Sequence, residues 1–263
     1  VRGGGVIRPA FLGLALLALA LPAAAGGERA GASGQRPGAA ATAGDRGGAA
    51  LVAAARRGDL ESVAALLAAG VPADEGQGGF SALLVALSRR HARVALYLIE
   101  HGADVRRSAA FGVAPLHLAR DPEVVRALIE RGAELDAWTR SYGTPLHAAV
   151  QRREPAIVRL LLAAGAARDA RDRYGSTPLH YAAGIGDEQL VALLLDAGAS
   201  LEARNQRGFT PLHWAAGNGR SGAVELLLAR GATRTARSAE GWTAADLARR
   251  KGHPAIAERL LAE

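Results

Sequence analysis

Thr144-Pro145-Leu146-His147-Ala148-Ala149 returns as Thr177-Pro178-Leu179-His180-Tyr181-Ala182 and again as Thr210-Pro211-Leu212-His213-Trp214-Ala215, 33 residues apart each time. A fixed period of this length is the mark of a chain built by stacking one supersecondary unit many times. The next step of 33 reaches a degenerate copy, Thr243-Ala244-Ala245-Asp246. Upstream, Ala114-Pro115-Leu116-His117 and Ser81-Ala82-Leu83-Leu84 are further copies, and Ala49-Ala50-Leu51-Val52 is the faintest.

Each copy has the local chemistry of two short helices. In the unit opening at Thr177, the threonine can cap a helix N-terminus, and Pro178 sits in the first turn, where a missing N–H costs nothing. Ala182 and Ala183 are small enough to let neighbouring helices approach, and Gly186 ends the helix. Leu190, Val191, Leu194 and Leu195 then form one apolar stripe of a second helix. Gly198-Ala199 stops it, and an extended stretch leads to a turn such as Tyr174-Gly175 or Arg207-Gly208.

On these residues the chain resembles the ankyrin repeats, whose unit is a β-turn plus two helices with a T-P-L-H-x-A signature. The resemblance covers residues 49–263. It implies an all-α repeat solenoid, a stack of helix-turn-helix units joined by β-turn or hairpin loops. Six repeats open near Ala49, Ser81, Ala114, Thr144, Thr177 and Thr210, and a capping unit begins at Thr243. The first unit lacks Thr, Pro and His, as a terminal repeat with nothing stacked on its outer face can. The repeat at Ala114 runs only 30 residues before the next. Its shortfall falls at Ala119-Arg120-Asp121-Pro122-Glu123, which predicts an abbreviated first helix and a local distortion.

Four histidines, 117, 147, 180 and 213, recur once per repeat, too far apart to share a metal ion. The resemblance implies that they hydrogen-bond backbone in the neighbouring turns. Ser176, Asp187 and Glu188 have ordinary positions around helix starts, where the dipole favours acids. No catalytic residue, cofactor or metal site is therefore expected.

Within the family, partners are gripped by turn tips and by the concave face of the first helices. Mapped onto this chain, the tip positions are Arg140 and Ser141, then Arg173, Tyr174 and Ser176, then Gln206, Arg207 and Phe209, then Glu240 and Trp242. Trp138 lies just before one tip, and Tyr142 stands where glycine is usual. Gln151, Arg152 and Asn218 are the first-helix positions. Arginine with tyrosine and tryptophan on one ridge is the composition of a binding hot spot. Trp214, directly after a histidine of the motif, is expected to be structural.

The flanks and composition set the compartment and the competing readings. Arg2 and Arg8, the apolar run from Phe11 to Leu21, and Ala23-Ala24-Ala25 make the three parts of a secretory signal over residues 1–25. The run is short for a bilayer span. Residues 26–48 are Gly- and Ala-rich without apolar periodicity and are expected to be a flexible tether. The chain has no cysteine, which removes disulfide and thiolate chemistry. The expected protein is an exported monomer, periplasmic or secreted, that binds a protein partner. Its net charge of +7, with 32 basic residues, keeps a polyanion binder (nucleic acid, polysaccharide or acidic lipid) as the alternative. An inhibitor or immunity-type protein of one enzyme is a third reading.

Overall fold

Among the described residues the period is realised as seven pairs of short helices. The computed structural model describes residues 43–77 and 80–262; the expected secretory signal and the expected tether up to residue 42 lie outside them. The first members of the pairs are α1 (Ala43–Arg57), α3 (Ala82–Ser88), α5 (Pro115–Leu118), α7 (Pro145–Gln151), α9 (Pro178–Ile185), α11 (Pro211–Gly217) and α13 (Ala244–Arg250). The second members are α2 (Leu60–Ala68), α4 (Ala92–Glu100), α6 (Pro122–Glu130), α8 (Pro155–Ala163), α10 (Glu188–Asp196), α12 (Ser221–Ala229) and α14 (Pro254–Leu261). Odd helices pack on odd helices in one row, and even helices through α12 pack in a second. Arg259 of α14 pairs with Glu225 of α12 at 2.7 Å. Two-residue strands β1 (Gly76–Gln77) and β2 (Phe80–Ser81) pair antiparallel as the hairpin before α3.

The core is one continuous cluster running between the rows, filled from each pair by the stripe seen in sequence. Leu190, Val191 and Leu194 are fully buried, as are Ala182 and Ala183 of the facing helix. The first helix starts earlier than expected. Ala43 to Gly48, expected as the end of the tether, form the opening turns of α1. Gly48 is buried there, and a Cβ on it would stand 2.9 Å from Cβ of Glu75. Glycine is tolerated in this helix because the chain crosses it so closely.

The histidines knit successive repeats together. The backbone N–H of Thr177 donates to Nδ1 of His180 at 3.1 Å, while Nε2 of His180 donates to the carbonyl of Phe209 at 2.9 Å. His147 does the same to Ser176 at 3.0 Å, His117 to Gly143 at 3.1 Å, and His213 to Trp242 at 2.9 Å. A carbonyl only accepts, so Nε2 must hold the proton and Nδ1 must be bare. Burial holds all four rings below the ordinary imidazole range, His117 and His180 at about 4. In the unit opening at Thr243, Asp246 stands where the four preceding repeats have histidine and keeps only the acceptor role. It accepts from both the backbone N–H and the hydroxyl of Thr243, at 3.0 and 2.8 Å.

The trimmed repeat has the predicted short helix: α5 is four residues long. Asp121 then caps α6 by accepting from Glu123 N–H at 2.8 Å. The freed carbonyls of α5 are met from the next repeat. Arg152 donates to the carbonyls of His117 at 2.6 Å and Ala119 at 3.3 Å, and pairs with Glu154 at 2.7 Å.

Candidate functional site: the turn-tip ridge and its cleft

The tips are built on one polar position per repeat. Asp172 Oδ1 accepts from the N–H groups of Tyr174 and Ser176, at 2.9 and 2.8 Å. Asn205 does the same for Arg207 and Phe209, both at 3.0 Å, and Ser238 for Glu240 and Trp242. Thr139 accepts from Tyr142 at 2.9 Å. These side chains fold each tip into a tight turn, the usual work of short polar residues. Adjacent tips are then zipped by backbone bonds, Gln206 N–H to Tyr174 carbonyl at 3.0 Å and Ala239 N–H to Arg207 carbonyl at 2.9 Å. The ridge is therefore ordered before anything binds.

A second ladder runs beneath it. Arg171 donates to the carbonyl of Arg204 at 2.8 Å, and Arg204 to that of Arg237 at 2.6 Å. One repeat earlier, the indole N–H of Trp138 takes the same place and donates to the Arg171 carbonyl at 3.1 Å. Asp136, Asp169 and Glu202 form an acidic counterpart, each accepting a backbone N–H of the next repeat.

Between the tips and the odd helices lies a cleft of about 400 Å³. Arg140, Ser141, Arg173, Tyr174, Gln206 and Arg207 surround it from the tips and are exposed, while Gln151 reaches it from α7. Tyr181 of α9, Trp214 of α11 and Phe209 form its aromatic floor. Tyr181 and Trp214 meet edge to face with centroids 5.2 Å apart. The Tyr181 hydroxyl donates to Asp172 Oδ2 at 2.5 Å, and burial together with that carboxylate pushes it well above the ordinary phenol range.

Several expected contact residues have other work. Tyr142, Ser176 and Phe209 are buried, not displayed. Ser176 and Phe209 immediately precede the helix-opening threonine, so their carbonyls are the acceptors of the histidine ladder and the chain there is pressed against the preceding repeat. Tyr142 packs into the core cluster. Arg152 is corrected from a surface contact to the cap of α5, its side chain only 5% exposed. Trp242 is partly buried under Arg250, whose guanidinium lies 4.2 Å from its ring. Glu240 is exposed but paired with Arg207 at 2.9 Å, and Asn218 at the end of α11 lies against Gly184, outside the cleft. Trp138 is half exposed and lies off the cleft.

The stacked fold is shared with proteins already known. A family model described as ankyrin repeats (3 copies) matches residues 33–109, 51–139, 116–205 and 185–263. The chain belongs to the ankyrin-repeat family. The crystal structure of the human ASB11 ankyrin repeat domain superposes with a TM-score of 0.72 at 30% identity, covering 81% of this chain and 98% of that one. The ankyrin repeat domain of Bcl-3, described as a unique member of the IkappaB family, gives 0.68 at 29% identity over 80% and 97%. A 52-residue stretch is 40% identical to the 85/88 kDa calcium-independent phospholipase A2 of Mus musculus; it is 20% of this chain and 6% of that protein. Ankyrin repeats are generally protein–protein interaction scaffolds, and ankyrin repeat domains are usually non-catalytic. Among the described residues no helix of this ankyrin stack is long and apolar enough to cross a membrane.

Sequence reasoning did not find the floor residues Asp172 and Tyr181, nor Phe111. Phe111 is 86% exposed at the tip of the trimmed ankyrin repeat, with φ at +64°. A bulky residue in that left-handed region is a backbone outlier. The shift of register at the deletion hid the position from a 33-residue alignment.

Proposed function

We propose that this protein is a non-catalytic scaffold that acts in an exported compartment, periplasmic or secreted, and grips a partner protein with its turn tips and first-helix face. The observation behind the reading is the cleft: exposed Arg140, Arg173, Tyr174 and Arg207 stand around one preorganised recess. Export rests on the secretory pattern of residues 1–25 alone.

The structure argues against spending the basic excess on a polyanion. Arg106, Arg131, Arg168, Arg171 and Arg204 each donate to a backbone carbonyl of a neighbouring repeat. Each guanidinium spends a donor on holding the stack together, which leaves fewer donors to track a phosphate backbone.

Affinity capture from the exported fraction tests the reading. The expected outcome is one stoichiometric protein, retained by wild type and lost when Arg140, Arg173, Tyr174 and Arg207 are all changed to alanine. Undiminished capture by a folded quadruple variant would overturn the assignment of the ridge. Capture that collapses for wild type as salt rises, with nucleic acid or polysaccharide in the eluate, would favour a polyanion instead.

A further inference from the structure

We infer that the cleft takes an acidic strand of the partner protein, seating one bulky apolar side chain on the aromatic floor while carboxylates meet Arg140 and Arg173 at the mouth. This deepens the protein-binding reading above and rests on it. Charge complementarity decides the occupant. Three guanidinium groups face the recess, and Asp172 is the one carboxylate that lines it. Both oxygens of Asp172 are already committed, to two tip N–H groups and to the Tyr181 hydroxyl. Arg207 is balanced by Glu240. Arg173 lies 4.5 Å over the ring of Tyr174, a contact that leaves its positive charge uncompensated. Arg140 is exposed on the neighbouring tip. Three arginines against Asp172 and Glu240 leave the mouth net positive, and a guanidinium pairs best with a carboxylate in a planar, two-bond geometry.

Size and chemistry of the floor decide the rest. A recess of about 400 Å³ admits a side chain or two with a short run of backbone, not a folded domain. Tyr181, Trp214 and Phe209 make it apolar, and their rings are too deeply set to stack successive bases as a nucleic-acid platform does. Trp214, 8% exposed on the floor, has an indole N–H with no hydrogen-bond acceptor. A buried donor left unpaired is costly, so an occupant that supplies the acceptor gains by it.

The test pans a display library of random dodecapeptides against the full chain at physiological salt and measures the selected sequences by fluorescence polarisation. We expect acidic residues clustered around a single Phe, Tyr, Leu or Ile. Affinity should fall at least about tenfold for R140A/R173A, as for hot-spot arginines. It should stay unchanged for Arg159→Ala, on the exposed side of α8. R140E/R173E should reject the acidic peptide and accept its lysine-substituted counterpart. Both arginines are exposed, so unchanged urea midpoints are expected to confirm folding. Neutral or basic winners, acidic winners indifferent to the double variant, equal displacement by oligothymidine, or no winner at all would each overturn the inference. If the peptides fail while captured protein is still lost from the quadruple variant, the scaffold reading stands and only the acidic-strand assignment falls.

Discussion

Leu194 is fully buried in α10, and truncating it to alanine is expected to cost ~2–5 kcal/mol. Arg173, exposed on a tip, should change stability by no more than about 0.5 kcal/mol when replaced by alanine. Urea denaturation of the two variants checks both; an Arg173 variant that unfolds the stack would contradict its place on the surface. The histidines make a prediction with a definite sign. His117 and His180 hold a proton only near pH 4 when folded, whereas the unfolded chain takes it up near 6.5. The unfolded state therefore binds more protons between these values, so stability is full above pH 6.5 and falls as pH drops towards 4. Each ring is worth on the order of 3 kcal/mol across that window. A urea midpoint at about pH 4.5 equal to that at about pH 7 would contradict the ladder. Which residues line the tips was legible from the period, but which of them face solvent was not. Ser176 and Phe209 share a repeat position with Gly143 and Trp242, the carbonyl acceptors of the ladder, and that role depends on a neighbouring repeat invisible to a one-unit reading. Asp172 and Tyr181 escaped notice because their pairing joins a tip to a helix nine residues away.

At the scale of the element, α5 is the weakest helix by construction. One turn cannot sustain itself, since nucleation is the unfavourable step of helix formation. Its end is held by Arg152 from the next repeat, so Arg152→Ala is expected to cost ~1.5–3 kcal/mol, the range of hydrogen bonds from a charged donor. Arg152→Lys should restore only part of this, because an ammonium cannot replace the forked geometry. A stability change for Arg152→Ala no larger than that for Arg173→Ala would refute the capping role. Gly186 closes α9 at φ +80°, and Gly186→Ala should cost about 1–2 kcal/mol. The shortened helix was legible, since the sequence lost its three residues at Ala119 to Glu123. The early start of α1 was not, because Gly47 and Gly48 carry no helix signal and are held by the chain packed across them.

Over the whole molecule, stability comes from contacts between neighbours, as in any quasi-one-dimensional stack. The three ladders of histidine, arginine and acid all cross repeat boundaries; at α5, His117 bonds forward to Gly143, but Leu84 stands at the histidine position of the preceding repeat. Native-state hydrogen exchange should therefore show α5 opening before α9 and α11, with its protection lost first in Arg152→Ala. Uniform protection along the odd row would show that the trimmed repeat is no weaker than the rest. The central claim concerns one face of this stack: that the tips and odd helices around the cleft receive a partner protein. Hydrogen–deuterium exchange of the complex with the captured partner tests it most directly. The account predicts new protection at residues 140–142, 173–176 and 205–209 and at the ends of α7 and α9, with the even helices unchanged. Protection confined to α8, α10 and α12, with the tips exchanging as in the free protein, would contradict it.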